Sequence, residues 1–255
     1  MGLKRKAVSR WVGLVLAPAL VLAATAAAVP DPEPETPAVK TIIRKKSIGK
    51  SADKRPILAW HLGDPKAKKT VVLISAIHGN EKASATILRN LRDGKPIKGV
   101  NLWIIPVANP DGYAKNSRRN GRGVDLNRNF PVKWKKVGGY YNSGKKAASE
   151  PETRALMKFI EAKDPDYLIN FHQPLYGADT SGSRSPKWAK NLRKGLKLPT
   201  KKFRCKSTCH GTFTMWFNKV QEGTTLTIEL GAHPSKKYLT KTAPNALLKS
   251  FKATR

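Results

Sequence analysis

The chain has 255 residues, of which 49 are Lys or Arg and 17 are Asp or Glu, giving a formal charge of +32 at neutral pH. That balance excludes an ordinary near-neutral cytosolic enzyme surface, and a 40% hydrophobic content is enough for one sizeable core, which excludes wholesale disorder. Two cysteines, Cys205 and Cys209, are too few for a disulfide scaffold, so the fold must rest on its core.

Residues 1–10 read MGLKRKAVSR and are followed by an apolar stretch from Trp11 to Ala24 and then by Ala26-Ala27-Ala28. Charged, apolar and small residues in that order form a secretory signal, with cleavage expected after Ala28. An uncleaved anchor is the alternative, because the apolar run reaches the length at which signals and spans overlap. The protein is expected to be secreted or held at the cell wall or in the periplasm. Removing residues 1–28 takes Lys4, Arg5, Lys6 and Arg10 from the +32 and leaves +28 on the remainder. The lysines are scattered in pairs such as Lys135-Lys136, Lys145-Lys146, Lys201-Lys202 and Lys236-Lys237. Such charge favours electrostatic adhesion to anionic cell-wall polymers, with plain solubility as the competing explanation. No aromatic-interleaved basic groove marks a specific nucleic-acid site, and a monomer is expected.

Residues 29–40, VPDPEPETPAVK, lack apolar periodicity and read as a Pro/Glu-rich spacer, so the folded domain is 41–255. After residue 30 no run is long and apolar enough to span a bilayer. Short β-type runs occur at Thr70–Ala76, Asn101–Val107, Tyr167–Phe171 and Thr224–Leu230, and helical patterns at Glu81–Leu91, Glu152–Ala162, Pro186–Leu196 and Thr242–Phe251. The alternation predicts an α/β sandwich around a buried mixed sheet. Each strand ends in polar groups that a core would not request: His78, then Asn109-Pro110-Asp111-Gly112, then His172, then Glu229. Ligand sites form at the carboxyl ends of strands in open α/β sheets, so these groups are expected to meet along one edge.

His78 and Glu81 sit three apart in a glycine-containing strand-to-helix turn, and His172 supplies a second imidazole from a neighbouring strand. Two imidazoles and a carboxylate suit one Zn²⁺ and leave a fourth position open for water. The alternatives are that His78 and Glu81 cap a helix beginning near Lys82 and that His172 is a core histidine. His61, His210 and His233 have no comparable context and read as surface or structural. Glu229 in TIELG lies within an apolar run, where an ionised carboxylate costs several kcal/mol unless it is paired or catalytic. A base beside an activated water explains it, and a buried salt bridge is the alternative.

The blocks HGNE (78–81), NPDGY (109–113), RGVDLNRNFP (122–131), FH (171–172) and TIELG (227–231) together resemble the zinc carboxypeptidase family of the pancreatic type. The resemblance spans roughly residues 41–233. It implies a three-layer α/β/α sandwich with a mixed, mostly parallel central sheet, one Zn²⁺ held by His78, Glu81 and His172, and hydrolysis of an amide next to a substrate carboxylate, with Glu229 as base. It further implies that Asn127 and Arg128 grip that carboxylate, a guanidinium fork matching it in two parallel bonds. Arg118 would stabilise the oxyanion, a contribution of about 3–4 kcal/mol for one donor, although Arg119 or Arg122 could take this role. Asp125 would hold a zinc-bound histidine in one tautomer.

One departure from the pancreatic enzymes concerns their mobile tyrosine. The only Tyr between His172 and Glu229 is Tyr176, too close behind His172 to match. The shorter domain and the segment Ser149–Thr153 resemble the compact bacterial branch that includes murein peptide amidases, which cut the γ-D-glutamyl–diaminopimelate bond. A peptidoglycan stem peptide is therefore the first expected substrate. An ordinary carboxypeptidase removing C-terminal L-amino acids is the second reading, and an idle, cationic wall-binding fold the third. The stretch Thr212–Met215, expected to line the specificity pocket, offers no acidic residue for a basic side chain. Cys205 and Cys209 could close a small disulfide loop beside it.

Overall fold

A computed structural model describes residues 42–180, 182–203 and 209–255. The expected signal segment, the spacer, Thr41 and Cys205 lie outside the described residues. Cys209 is described and is disulfide-bonded.

Among the described residues seven strands form one sheet: β1 (Ile42–Lys50), β2 (Pro56–Gly63), β3 (Thr70–Ile74), β4 (Asn101–Ile105), β5 (Tyr167–His172), β6 (Leu175–Ala178) and β7 (Thr224–Gly231). Their order is β1-β2-β4-β3-β5-β7-β6. The central four, β4, β3, β5 and β7, run parallel. β1, β2 and β6 are added antiparallel at the edges. Six α-helices accompany them among the described residues: α1 (Ala83–Asp93), α2 (Pro110–Lys115), α3 (Pro151–Lys163), α4 (Pro186–Gly195), α5 (Phe213–Val220) and α6 (Ala243–Ser250). The four strands and four helices expected from the sequence are all present, displaced by no more than two residues at most ends.

Side chains alternate across the strands, and that alternation builds two cores. Val71 and Leu73 of β3, Ile169 and Phe171 of β5, and Leu226, Ile228 and Leu230 of β7 join Leu88 of α1, Leu192 of α4 and Leu247 of α6 on one face. Val72 and Ile74 of β3 and Leu168 of β5 join Leu156 and Phe159 of α3 and Phe213 and Trp216 of α5 on the other. This is the three-layer sandwich. Each fully buried Leu, Ile or Phe contributes about 1.5–3 kcal/mol relative to exposure. On the α3/α5 side, however, β5 continues with Asn170 and His172, and β7 presents Thr225, Thr227 and Glu229. In the register Asn170 pairs with Thr227 and His172 with Glu229, so one face of two adjacent strands turns polar toward its carboxyl end.

The elements that sequence reading did not anticipate are β1, β2, β6, α2 and α5, of which β2 and α5 do carry buried apolar residues, Ile57, Ala59 and Leu62 in the first and Phe213, Trp216 and Phe217 in the second. β1, IIRKKSIGK, has its first six residues exposed and lacks apolar alternation, because it is a lysine-rich edge strand whose charge discourages further pairing. β6 has four residues and α2 six, too few for any period to register.

Candidate metal centre and substrate cavity

The turn after β3 brings His78 and Glu81 beneath His172 at the end of β5. His78 Nδ1 lies 2.7 Å from Glu81 Oε1, His172 Nδ1 lies 2.8 Å from Glu81 Oε2, and the two Nδ1 atoms are 3.2 Å apart. All three residues are buried, and one donor atom from each falls within 4.8 Å of the others. Glu81 does not cap α1, whose Ala83 N–H is instead satisfied by Gln173 Oε1 at 2.9 Å. Two imidazole nitrogens and a carboxylate aimed at one point form a donor set that a cation satisfies. Neutral nitrogen and carboxylate ligands with a fourth direction open to a cavity suit zinc.

The outer nitrogens are also held. Asp125 Oδ1 lies 3.0 Å from His78 Nε2, so the imidazole is fixed with Nδ1 facing the centre, as expected for Asp125. His172 Nε2 lies 2.9 Å from Asn170 Nδ2, while Asn170 Oδ1 is buried without a hydrogen-bond partner among the described residues. Turning the Asn170 amide over lets Oδ1 accept the His172 Nε2–H and leaves the Nδ1 lone pair for the metal. Burial alone would lower the His78 pKa, but the charges of Glu81 and Asp125 outweigh it and raise it to about 9. For Glu81 burial pushes upward, yet His78 and His172 hold the carboxyl far below the ordinary glutamate range.

Glu229 stands beside His172 on β7 and is 9% exposed. It accepts the Leu175 N–H at 3.2 Å and has no ion pair among the described residues. Burial raises its pKa, partly offset by His172 and reinforced by Glu81.

Of the three candidate arginines, Arg118 is the one that lines the cavity. Its Nε and a terminal nitrogen each lie 2.9 Å from Asp125 Oδ2, and its other terminal nitrogen is 3.6 Å from Glu81 Oε1. Arg119 reaches the Gly139 carbonyl, and Arg122 lies 3.9 Å from Glu150. Arg128 differs from all of them. It is 5% exposed, donates to the Asn127 carbonyl at 2.7 Å, leaves Nε unsatisfied, and meets no carboxylate at ion-pair distance among the described residues. Burial lowers its pKa, with Asp125 resisting. A buried guanidinium without an anion is costly, and one that faces a cavity is poised for a carboxylate from solution. Asn127 is set by the helix behind it, its Oδ1 accepting the Phe213 N–H at 2.9 Å.

His78, Glu81, Arg118, Asn127, Arg128, His172 and Glu229 thus all line one cavity of about 930 Å³. Tyr140 and Tyr141, which sequence reading did not single out, stand over it. The Arg118 guanidinium lies 5.4 and 5.3 Å from their ring centres, and that of Arg128 lies 5.2 Å from Tyr141. Thr225 and Thr227 of β7 were also missed, because β-branched residues in a strand look like ordinary β-formers.

The NPDG block, expected at the site edge, serves as scaffold. Buried Asn109 accepts the Gly112 N–H at 2.9 Å and donates to the carbonyls of Ile77 and Arg118. A side chain on Gly79 would collide with the backbone of Gly112 and Tyr113, so HGNE and NPDG touch backbone to backbone, which glycine allows. His61 stacks on Trp103 with ring centres 4.2 Å apart and is structural, as expected.

The fold and this constellation define a zinc metallopeptidase. The sequence model of the zinc carboxypeptidase family matches residues 36–175, and the chain belongs to that family. Murein peptide amidase A of Vibrio campbellii is 30% identical over 181 residues, covering 65% of this chain and 71% of that protein. Murein peptide amidase A of Escherichia coli K12 is 33% identical over 133 residues, covering 46% of this chain and 54% of that protein. Among solved structures, the murein-tripeptide amidase of Escherichia coli O157 superposes with a TM-score of 0.66 at 26% identity, covering 79% of this chain and 91% of that one. Carboxypeptidase A from Helicoverpa armigera shares the fold, with a TM-score of 0.68 at 18% identity over 83% of this chain and 68% of that one.

Proposed function

We propose that the protein is a secreted zinc amidase that hydrolyses the γ-D-glutamyl–diaminopimelate bond of peptidoglycan stem peptides. The observation that carries the hydrolytic reading is the meeting, in one cavity, of a His-Glu-His donor set with a buried glutamate and a buried arginine that have no ion-pair partner among the described residues. The similarity to murein peptide amidases supports the substrate. The signal-like residues 1–28 support export, and the +32 charge supports adhesion to anionic wall polymers.

His78, Glu81 and His172 would hold the metal, which when bound supplies a Lewis acid that acidifies water and polarises a carbonyl. Glu229 takes the proton of the attacking water on its carboxylate and hands it to the leaving amine nitrogen. Its raised pKa suits both halves of that transfer. Arg118, oriented by Asp125, donates to the oxygen on which negative charge develops. Arg128 and Asn127 bind the substrate carboxylate and thereby fix which amide meets Glu229.

The test is to incubate the zinc-loaded protein with a γ-D-glutamyl–diaminopimelate peptide and with ordinary L-peptides and to resolve products by mass. Release of the diaminopimelate-containing product, abolished in Glu229→Gln and by chelation, is expected. Stepwise loss of C-terminal L-residues would instead establish an ordinary carboxypeptidase, a reading favoured by 29% identity to bovine carboxypeptidase O over 53% of this chain and 45% of that protein. Absence of either activity, with salt-sensitive wall binding that survives Glu229→Gln, would indicate an idle wall-binding fold.

A further inference from the structure

Arg118 and Arg128 bring two guanidinium groups to one cavity, and a single aromatic ring stands against both. The centre of the Tyr141 ring lies 5.3 Å from the Arg118 guanidinium carbon and 5.2 Å from that of Arg128. Tyr140 meets Tyr141 edge to face, with ring centres 5.1 Å apart and planes at 86°, and its own ring centre is 5.4 Å from Arg118. Among the described residues neither phenol hydroxyl is hydrogen-bonded, so the rings make these contacts without them.

The turn that carries the rings is fastened to the loop that carries Arg118. The carbonyl of Asn142, next to Tyr141, accepts the Asp125 N–H at 2.8 Å, Asn142 Nδ2 donates to the Gly123 carbonyl at 2.9 Å, and Arg119 donates to the Gly139 carbonyl at 3.3 Å. Tyr141 is therefore not a loose cover. A guanidinium as buried as that of Arg128 needs a negative neighbour, and the kind of neighbour decides whether it stays available. A carboxylate there would pair with it and fill the place of the substrate. An aliphatic side chain would leave the charge uncompensated. An aromatic ring attracts the cation through its quadrupole and takes up none of its N–H donors.

We propose that Tyr141, backed by Tyr140, is a positioning residue: its ring holds the Arg118 and Arg128 guanidinium groups at a set separation with their remaining donors free, and so matches the distance between the substrate carboxylate and the carbonyl that is hydrolysed. The proposal rests on the hydrolase reading above and adds to it the residue through which the two arginines act together. In a substrate whose carboxylate sits on the carbon bearing the scissile nitrogen, covalent geometry fixes that distance. Arg128 takes the carboxylate and Arg118 the carbonyl oxygen at the same time only if the two side chains keep the matching spacing, and an error of about 1 Å there is costly. The Tyr141 ring is in contact with both and tied to the loop of one, so it is placed to hold that spacing.

The test compares a γ-D-glutamyl–diaminopimelate peptide with the same peptide in which the diaminopimelate carboxylate next to the scissile amide is converted to a carboxamide. Wild type is expected to prefer the free carboxylate. Tyr141→Leu is expected to lower the ratio of the two kcat/KM values about tenfold, through a loss on the carboxylate peptide in which KM rises more than kcat falls. Tyr141→Phe, which keeps the ring, should retain the ratio. A second readout is independent of turnover: calorimetric binding of both peptides to zinc-loaded Glu229→Gln, with and without Tyr141→Leu, in which the preference should fall by a similar factor. A ratio unmoved by Tyr141→Leu, an equal loss on both peptides, or a loss in Tyr141→Phe as large as in Tyr141→Leu would overturn the proposal. If wild type cleaves neither peptide but the binding preference is present and falls with Tyr141→Leu, the hydrolase reading fails while the positioning role stands.

Discussion

Two buried clusters of carboxylates lie within this fold, and their contrast separates scaffold from site. In the first, Asp111 accepts from Ser51 Oγ at 2.7 Å, the Asp53 N–H at 2.9 Å and Arg55 at 2.8 Å. Nearby, Asn120 Nδ2 bridges Glu150 and Glu152 at 2.9 and 3.1 Å, and Glu152 also accepts the Ala52 N–H at 2.9 Å. The acids there are matched by donors, and the result is a brace that ties the β1–β2 turn and the 118–124 loop to α3, so holding Arg118 in place. In the second, His78, Glu81 and His172 aim their donor atoms at one another, while Glu229 and Arg128 have no ion-pair partner among the described residues. Burial and charge are similar in the two. What differs is unspent bonding capacity turned toward a cavity, and that marks a site more reliably than a concentration of acids.

The largest test of this contrast is ligand deletion. His172→Ala is expected to lose stoichiometric zinc and to lower hydrolysis by more than about a thousandfold, since metal affinity and the catalytic Lewis acid go together; elemental analysis and turnover on one preparation check it. Glu152→Ala, in the brace, should keep its zinc and lose instead about 1–3 kcal/mol of stability by leaving the Asn120 and Ala52 donors underused, visible as a Tm lowered by several degrees. Loss of zinc from Glu152→Ala would erase the distinction.

Next in size is the unpaired arginine. Arg128→Met should cut kcat/KM by about a hundredfold or more on substrates carrying the carboxylate, yet leave Tm unchanged or raised, because a buried charge without a partner gives way to packed methylenes. A marked fall in Tm would mean that Arg128 is structural.

The smallest expected effect is protonic. With His78 raised to about 9, the metal-free imidazole is protonated at pH 7 and must release that proton to ligate. Zinc uptake should therefore eject protons and tighten as pH rises toward 9, which calorimetry in buffers of different ionisation enthalpy measures. The same shift has a stability consequence in the metal-free protein. Because the folded pKa exceeds the unfolded value of about 6.5, the stabilisation is fully present below pH 6.5 and is lost as pH rises through 9. Uptake without proton release would contradict the charge assignment.

Much of the site was legible in the sequence because its chemistry is carried by short blocks: HGNE, FH and IELG each place a polar group near the end of a parallel strand, and LNRNFP brings Asn127 and Arg128 on a single short turn at Leu126–Arg128. The NPDG block, expected along the same edge, is equally polar and equally well placed. Only coordinates show that its Asn109 side chain is spent on the Gly112 N–H and on the carbonyls of Ile77 and Arg118. The choice among Arg118, Arg119 and Arg122 likewise depends on which way a loop turns, which no local pattern fixes. Tyr140 and Tyr141 reach the cavity from a short turn at Gly139–Tyr141 with no apolar period, and the threonines of β7 are disguised by their strand propensity. Among the strands, the four parallel ones at the centre of the sheet were visible, whereas the charged edge β1, the antiparallel β2 and the four-residue β6 were not.

The most direct test of the central claim is zinc content and turnover measured together on wild type and Glu229→Gln. One zinc per chain in both proteins, with amide hydrolysis confined to the wild type, is the predicted result. Wild-type turnover in Glu229→Gln, or a fully active wild type without bound metal, would contradict it.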